Sequence, residues 1–399
     1  MAPPGIELAV LSFVLIHLIT SSIIAFTSRS SSIRPAALVL IVGLAVSLQN
    51  IVAAWDGYRV FAAVFSLFAW MNTFSALDFF LYTRVTNSEH FEWLSRRGPS
   101  GLQRTLSSRI RWALGMPFNY RRVGTKWQSK ATHPFDPHRP GYIPSRADFV
   151  LHRLLVVLVC YLALFFIFVR PGQTSWLEAL PQGQRKVILD EYSLSLYALP
   201  SRFYLTTSFI LGITTAQKAH YNTISAVAVL LHLSNPEDWP PIQGPYQGTW
   251  SVRQLWGATW HQNFRQFLSA NADFITVSLL RLKPRSLAAR YSRFFFSFLL
   301  SGIIHIFWDE ACGIPRERSG AFIMFTIQPV AFAIEELAQW VSRRFGILRE
   351  DQALRTLIGY VWVGVFCTLS WPIWFYPSIR ESESGGWVDH LIHLPVPAL

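Results

Sequence analysis

Charge is scarce in this chain of 399 residues: Asp, Glu, Lys and Arg together make up 15% of it, against roughly a quarter in an ordinary soluble domain. That shortage argues against a soluble globular enzyme. Among the charges present, 35 Lys and Arg outweigh 23 Asp and Glu, giving a net charge of +12. The excess does not point to nucleic acid. The arginines are spread between apolar runs, as membrane topology requires, whereas a DNA-binding face would cluster them on one helix or patch. Cysteine is scarce too. Cys160, Cys312 and Cys367 form no CxxC pair, which removes the support for a zinc site or a disulfide framework and leaves three buried thiols as the expectation. The P-loop, GxSxG, HExxH and dinucleotide fingerprints are also absent. So is any internal repeat of the kind that builds many transporters.

What is abundant is apolar surface: 51% of the chain is hydrophobic and 15% aromatic. A run of about 20 apolar residues can cross a bilayer core as a helix. Such runs occupy residues 6–26, 36–54, 60–82, 149–169, 203–233, 294–312, 320–341 and 354–376. The sequence therefore predicts an all-α, polytopic membrane protein of about eight spans. The first run lacks a basic leader and is long for a signal peptide, so it reads as a retained helix. The run 203–233 is long for one span and contains Lys218, His220 and Asn222, which predicts a broken helix or two short ones.

Three regions follow: N-terminal spans over 1–82, a basic loop over 83–148 and a core over 149–399. The loops containing Arg29 and Arg34, and then the Arg-rich segment 84–146, belong in the cytosol by the Lys/Arg bias of membrane topology. This puts the N-terminus in the lumen and 235–293 on the cytosolic side. Arg170, Arg185, Lys186 and Arg202 then fall on the lumenal side as a mild exception. The segment 83–148 is expected to form short amphipathic helices on the membrane surface. The prolines of HPFDPHRPGYIP (133–144) predict an extended linker. The stretch 235–250 reads as a second Pro/Gly connector.

Two places carry chemistry. His305 lies in FFFSFLLSGIIHIFWDEACG, inside an apolar helix, where an ionisable side chain is costly and usually faces a cavity or a partner. A low dielectric favours the neutral imidazole, the form that can act as a general base. A histidine packed by a hydrogen bond across the bundle is the plainer reading. Asp309, one helical turn later on the same face, has two readings: a carboxylate that holds the His305 tautomer, or a residue at the membrane boundary meeting water. The second is expected, because Glu310 and a break at Gly313 follow. The second place is LWGATWHQNFRQ (255–266). On a helix Trp256 and Trp260 would share a face, as would Gly257 and His261. An interfacial tryptophan belt explains the two indoles but not the His261, Gln262 and Asn263 cluster at the same depth.

Trp256-Gly257-x-x-Trp260-His261-Gln262, followed by Ser301-Gly302-x-x-His305 in an apolar helix, resembles the wax synthase-like branch of the membrane-bound O-acyltransferases. It looks most like the fungal members that acetylate terpenoid and meroterpenoid hydroxyls. Phe325-x-x-Gln328-Pro329 and Ile334-Glu335 fit the same pattern downstream. The resemblance implies a helical bundle of that family, with His305 and His261 as the catalytic pair. Trp256, Trp260, Gln262, Asn263 and Arg265 would then face the acyl donor. Where the family often has Phe-Trp-Gly-Arg, this chain has Leu255 and Ala258, so the phosphate-binding role passes to Arg253 or Arg265. The implied co-substrate is acyl-CoA, with acetyl-CoA expected; the partners are a lipophilic alcohol and membrane lipid. The resemblance implies no resident cofactor and no metal, since a thioester is already activated, and an integral protein of the endoplasmic reticulum. A long-chain wax or sterol ester synthase and a lipophilic-metabolite transporter are the alternatives.

Overall fold

The computed structural model describes residues 2–96, 105–168, 199–346 and 351–381. Arg170, Arg185 and Lys186 lie outside them. In chain order the helices are α1 (Ile6–Phe26), α2 (Ile33–Ala53), α3 (Arg59–Leu77), α4 (Asn87–Ser95), α5 (Leu106–Gly115), α6 (Arg146–Phe168) and α7 (Leu199–Leu230). They continue as α8 (Val252–Gln254), α9 (Arg265–Asp273), α10 (Leu287–Ala311), α11 (Ala321–Thr326), α12 (Gln328–Phe345), α13 (Gln352–Ser370) and α14 (Pro372–Glu381). No strand occurs among the described residues. Seven stretches of described helix are long and apolar enough to cross a membrane. They are Ile6–Phe26, Ile33–Ala53, Arg59–Tyr82, Arg146–Phe166, Leu287–Ala311, Ala321–Phe345 and Gln352–Pro377. The bundle expected from hydropathy is therefore present, and the protein is an integral membrane protein.

The predicted eighth span differs. Residues 203–233 do not break into two helices; α7 runs unbroken for 32 residues, and it is not apolar enough to join the seven. Two of the polar side chains that suggested a break, Asn222 and His220, find partners without one. Asn222 Nδ2 donates to the Lys218 carbonyl, and Asn222 Oδ1 accepts from Arg153 on α6. His220 Nδ1 lies 2.8 Å from the Ala216 carbonyl.

The chain divides into two compact units. The first comprises the residues up to Ser129 together with Asn263–Thr326. Its core joins Ile16, Leu48, Phe79, Phe267 and Ile304. Gln49 of α2 ties α10 in place: its Nε2 donates to the Phe307 carbonyl at 3.1 Å. Its Oε1 accepts from Ser66 Oγ at 2.7 Å and Trp70 Nε1 at 3.1 Å, both on α3. The Trp70 and Phe307 rings stack at 4.0 Å. Ser286 caps α10 by accepting from the Ala289 N–H, and Gly313, at φ 87°, turns the chain just beyond its end, as the sequence predicts.

The segment after α3 forms the short helices α4 and α5, and α5 packs one face on the first unit. Ala113 and Met116 join the core of the first unit. His17, midway along α1, donates to the Leu114 carbonyl at 2.9 Å, and Tyr120 OH donates to Asn72 Oδ1 on α3 at 2.9 Å. Arg122 forms a buried ion pair with Asp78.

The second unit comprises Lys130–Gln262 and the chain from Ile327 onward. There α6 packs along α7, α13 packs on α7 and α12 on α8. The outer face of α6 is apolar, with Leu151, Leu154, Leu158, Val159 and Phe166 exposed, as a helix solvated by lipid requires.

Candidate active site

The expectation that 255–261 is one continuous helix is corrected. Ser251 starts α8 by accepting from the Gln254 N–H. The chain then widens into a single π-turn over Leu255–Thr259, closed by the Trp260 N–H donating to the Leu255 carbonyl at 2.7 Å. At Trp260 the backbone turns extended, with φ −62° and ψ 156°. Gly257 and His261 therefore do not share a helical face. The helix stops because its carbonyls find partners elsewhere. The Thr259 carbonyl accepts from the Gly244 N–H at 3.2 Å, and the Ala258 carbonyl from His133 Nε2 at 2.9 Å. The Gln262 N–H donates to the Ile242 carbonyl at 3.1 Å. It is one of three short π-segments among the described residues, with Asp78–Tyr82 and Phe274–Leu279, and such segments are enriched at functional sites.

The Pro/Gly connector thus has a definite job. Gly244 runs so close to the π-turn that a Cβ on it would lie 2.4 Å from the Ala258 carbonyl oxygen and 2.8 Å from two ring atoms of His133. Only glycine allows that approach.

In the second unit the turn brings Trp256, Trp260, His261 and Gln262 together. The Trp256 and Trp260 rings lie 5.4 Å apart, and Trp371, fully buried, stacks on Trp256 at 5.6 Å and meets Trp260 edge-on at 5.1 Å. Trp256 Nε1 donates to Gln328 Oε1 at 2.9 Å. Gln262 is fully buried, and its Nε2 donates to the Trp260 and Trp256 carbonyls, bracing the turn. His261 is half-buried with its ring 5.5 Å from that of Trp260. Glu335 of α12 is buried, and its carboxylate accepts from the N–H groups of Val252 and Arg253 and from Trp362 Nε1. Arg253 pairs with Glu336 at 2.7 Å.

In the first unit His305 is half-buried on α10. Its Nδ1 lies 2.7 Å from the Ser301 carbonyl oxygen. A carbonyl only accepts, so Nδ1 carries the proton and Nε2 of the neutral ring bears the lone pair. The ring sits 4.2 Å from Phe325 and 6.1 Å from Phe264. On either side of Phe264 in the chain are Asn263, half-buried, and Arg265, exposed at the first position of α9. Asp309 does not meet water as expected. It is buried, and its carboxylate accepts from Ser319 Oγ.

Sequence reasoning left Gln328, Glu335 and Glu336 unassigned and gave no part to Trp371, His133 or Gly244. The glycine stood in a recognised connector; His133 had no local signal, because its partner lies 125 residues away.

Residues 239–327, which include the π-turn and His305, match the model of the "Membrane bound O-acyl transferase family". The acetyltransferase ple2 of Rhodocybe pseudopiperita is 29% identical over 390 residues, covering 95% of this chain and 92% of its own. The acetyltransferase ataH of Aspergillus terreus is 31% identical over 257 residues, 60% of this chain and 80% of its own. The acetyltransferase eriL of Hericium erinaceus is 30% identical over 287 residues, 71% of this chain and 70% of its own. With a helical membrane bundle, a π-turn holding Trp256–His261 and relatives matched over most of their length, this chain belongs to the membrane-bound O-acyltransferase family and is an O-acyltransferase.

Proposed function

We propose that the chain moves the acetyl group of acetyl-CoA onto a hydroxyl of a lipophilic, terpenoid-type metabolite at the endoplasmic reticulum membrane, with the donor arriving from the cytosol. The observation that carries the reading is the histidine of α10. Its Nδ1 is fixed by the Ser301 carbonyl within an apolar helix, so its other nitrogen can accept a proton. The acetyltransferase activity of the relatives supports the choice of acyl group.

In the proposed reaction the alcohol oxygen attacks the thioester carbonyl carbon while His305 Nε2 takes the hydroxyl proton. His261, with Asn263, donates hydrogen bonds to the carbonyl oxygen as negative charge builds; one such donor is typically worth about 10²–10³ in rate. The C–S bond then breaks, the departing thiolate takes the proton from His305, and ester and free CoA leave. Trp256 and Trp260 form the wall for the pantetheine arm, Gln262 keeps the turn closed, and Arg265 meets the nucleotide phosphates. A bundle interior admits the poorly soluble alcohol and excludes water as a competing nucleophile.

The test uses microsomes carrying the protein, radiolabelled acetyl-CoA and a panel of terpenoid alcohols. Wild type is expected to form labelled ester, and His305→Ala none at equal amounts of folded protein. Near-wild-type product from His305→Ala would remove His305 from the mechanism. Ester formed from palmitoyl-CoA in preference to acetyl-CoA would replace the acetyl reading with long-chain transfer.

A further inference from the structure

Glu335 stands eighty residues downstream of the π-turn, yet its buried carboxylate is the acceptor for the two N–H groups that open the helix leading into that turn. Val252 and Arg253 are the first two residues of α8, and the third N–H, that of Gln254, is taken by Ser251 Oγ at 3.1 Å. The opening N–H groups of a helix have no partner within it. Here one carboxylate takes two of them and also receives Trp362 Nε1–H from α13 at 2.9 Å. All three partners donate, so the site is shaped for an anion with two acceptor oxygens. Leu255 follows α8 directly and begins the π-turn. The position of Val252 and Arg253 therefore sets where the turn starts, and with it where Trp256, Trp260 and His261 are presented.

We infer that Glu335 is a positioning residue for acyl transfer: it holds α12 and α13 to the entrance of the 255–261 turn and so fixes the geometry of His261 and the two tryptophans. The inference rests on the function proposed above. Its chemistry is selective, since an amide in place of the carboxylate keeps the shape but turns an NH₂ donor toward an N–H donor.

The test is Glu335→Gln beside wild type, purified in detergent, with monodispersity and melting temperature measured first and initial rates second. The expected result is a folded variant in which kcat/KM for acetyl-CoA falls by about tenfold to 100-fold, the scale of a misplacement of about 1 Å at a reacting group. KM for the alcohol, which the turn does not bind, stays within about twofold of wild type, and Glu335→Asp, which restores two acceptor oxygens, recovers part of the loss. Val252→Pro gives a second reading that does not depend on how Glu335→Gln folds. Proline is accepted at the first helical position, and Ser251 already has the extended backbone, φ −146° and ψ 150°, that a following proline requires. This variant removes one donor to Glu335 and is expected to lower kcat/KM for acetyl-CoA in the same direction by a smaller factor. Wild-type kinetics per folded molecule in Glu335→Gln would overturn the inference. If that variant does not fold, wild-type kinetics in Val252→Pro would overturn it instead. Absence of ester from the wild type itself would instead refute the acetyl-transfer reading.

Discussion

Replacing Gly244 by alanine tests whether the connector shapes the site. A Cβ there would stand 2.4 Å from the Ala258 carbonyl oxygen and 2.8 Å from Cε1 and Nε2 of His133. The first of these is backbone and cannot swing away, so the connector must lift off the turn. Overpacking of this kind costs about 1–3 kcal/mol. Lifting also stretches two hydrogen bonds, Gly244 N–H to the Thr259 carbonyl at 3.2 Å and His133 Nε2 to the Ala258 carbonyl at 2.9 Å, each worth about 1 kcal/mol. The sum is roughly 3–5 kcal/mol, concentrated on the turn that carries Trp256 and His261. The assay is thermal denaturation in detergent together with ester formation well below the melting temperature. Gly248→Ala, in the same connector, is the control, because a Cβ there meets nothing within 4 Å. Gly244→Ala is expected to melt several degrees lower and to lose most of its turnover, whereas Gly248→Ala behaves as wild type. A Gly244→Ala protein matching wild type in both would refute the account of the turn.

Two further outcomes can be checked by stability alone. Arg122→Met or Asp78→Asn alone removes one partner of a fully buried ion pair and should cost about 3–5 kcal/mol, whereas an apolar pair at both positions should recover most of it; a double variant no better than the singles would contradict this. His90 is buried outside the spans, stacked on Trp112 at 4.9 Å, and its Nδ1 has no hydrogen-bond partner among the described residues. Burial pushes its pKa down from 6.5 to about 4. The unfolded chain therefore binds the proton more readily between those values. Stability contributed by the neutral ring is complete above pH 6.5 and declines as pH falls toward 4, by at most about 3 kcal/mol. Melting temperatures from pH 7.5 to 4.5 should fall more steeply for wild type than for His90→Phe; parallel curves would exclude His90 as the source.

Much of this protein was legible in one dimension. Hydropathy alone marks the helices that satisfy their own backbone in lipid, and the seven described spans lie where the apolar runs are. A buried ionisable residue in such a run is also a local signal, which is why His305 stands out before any fold is known. The motif residues are legible for the same reason: a histidine, a glutamine and an asparagine beside two tryptophans do not fit an interfacial belt. The local rule failed where distant chain supplied partners. Residues 255–261 read as an α-helix because period and propensity are local quantities. They end as a helix after Thr259, where His133 and Gly244 take the Ala258 and Thr259 carbonyls that a continuing α-helix would have used. The run 203–233 read as broken for its polar residues, yet Arg153 from a neighbouring helix and the helix's own carbonyls satisfy Asn222.

By itself, then, the sequence determined the bundle and the positions of its seven described spans, because burial in lipid depends on residue type and short spacing. Only the tertiary structure decided the shape of the motif and what holds it. A carbonyl's hydrogen-bond partner, a glycine's clearance and a carboxylate's donors are contacts between residues far apart in the chain, and no periodicity records them. Glu335 is the clearest case: by sequence a motif residue with no assigned partner, and in the fold the acceptor for two N–H groups more than eighty positions away.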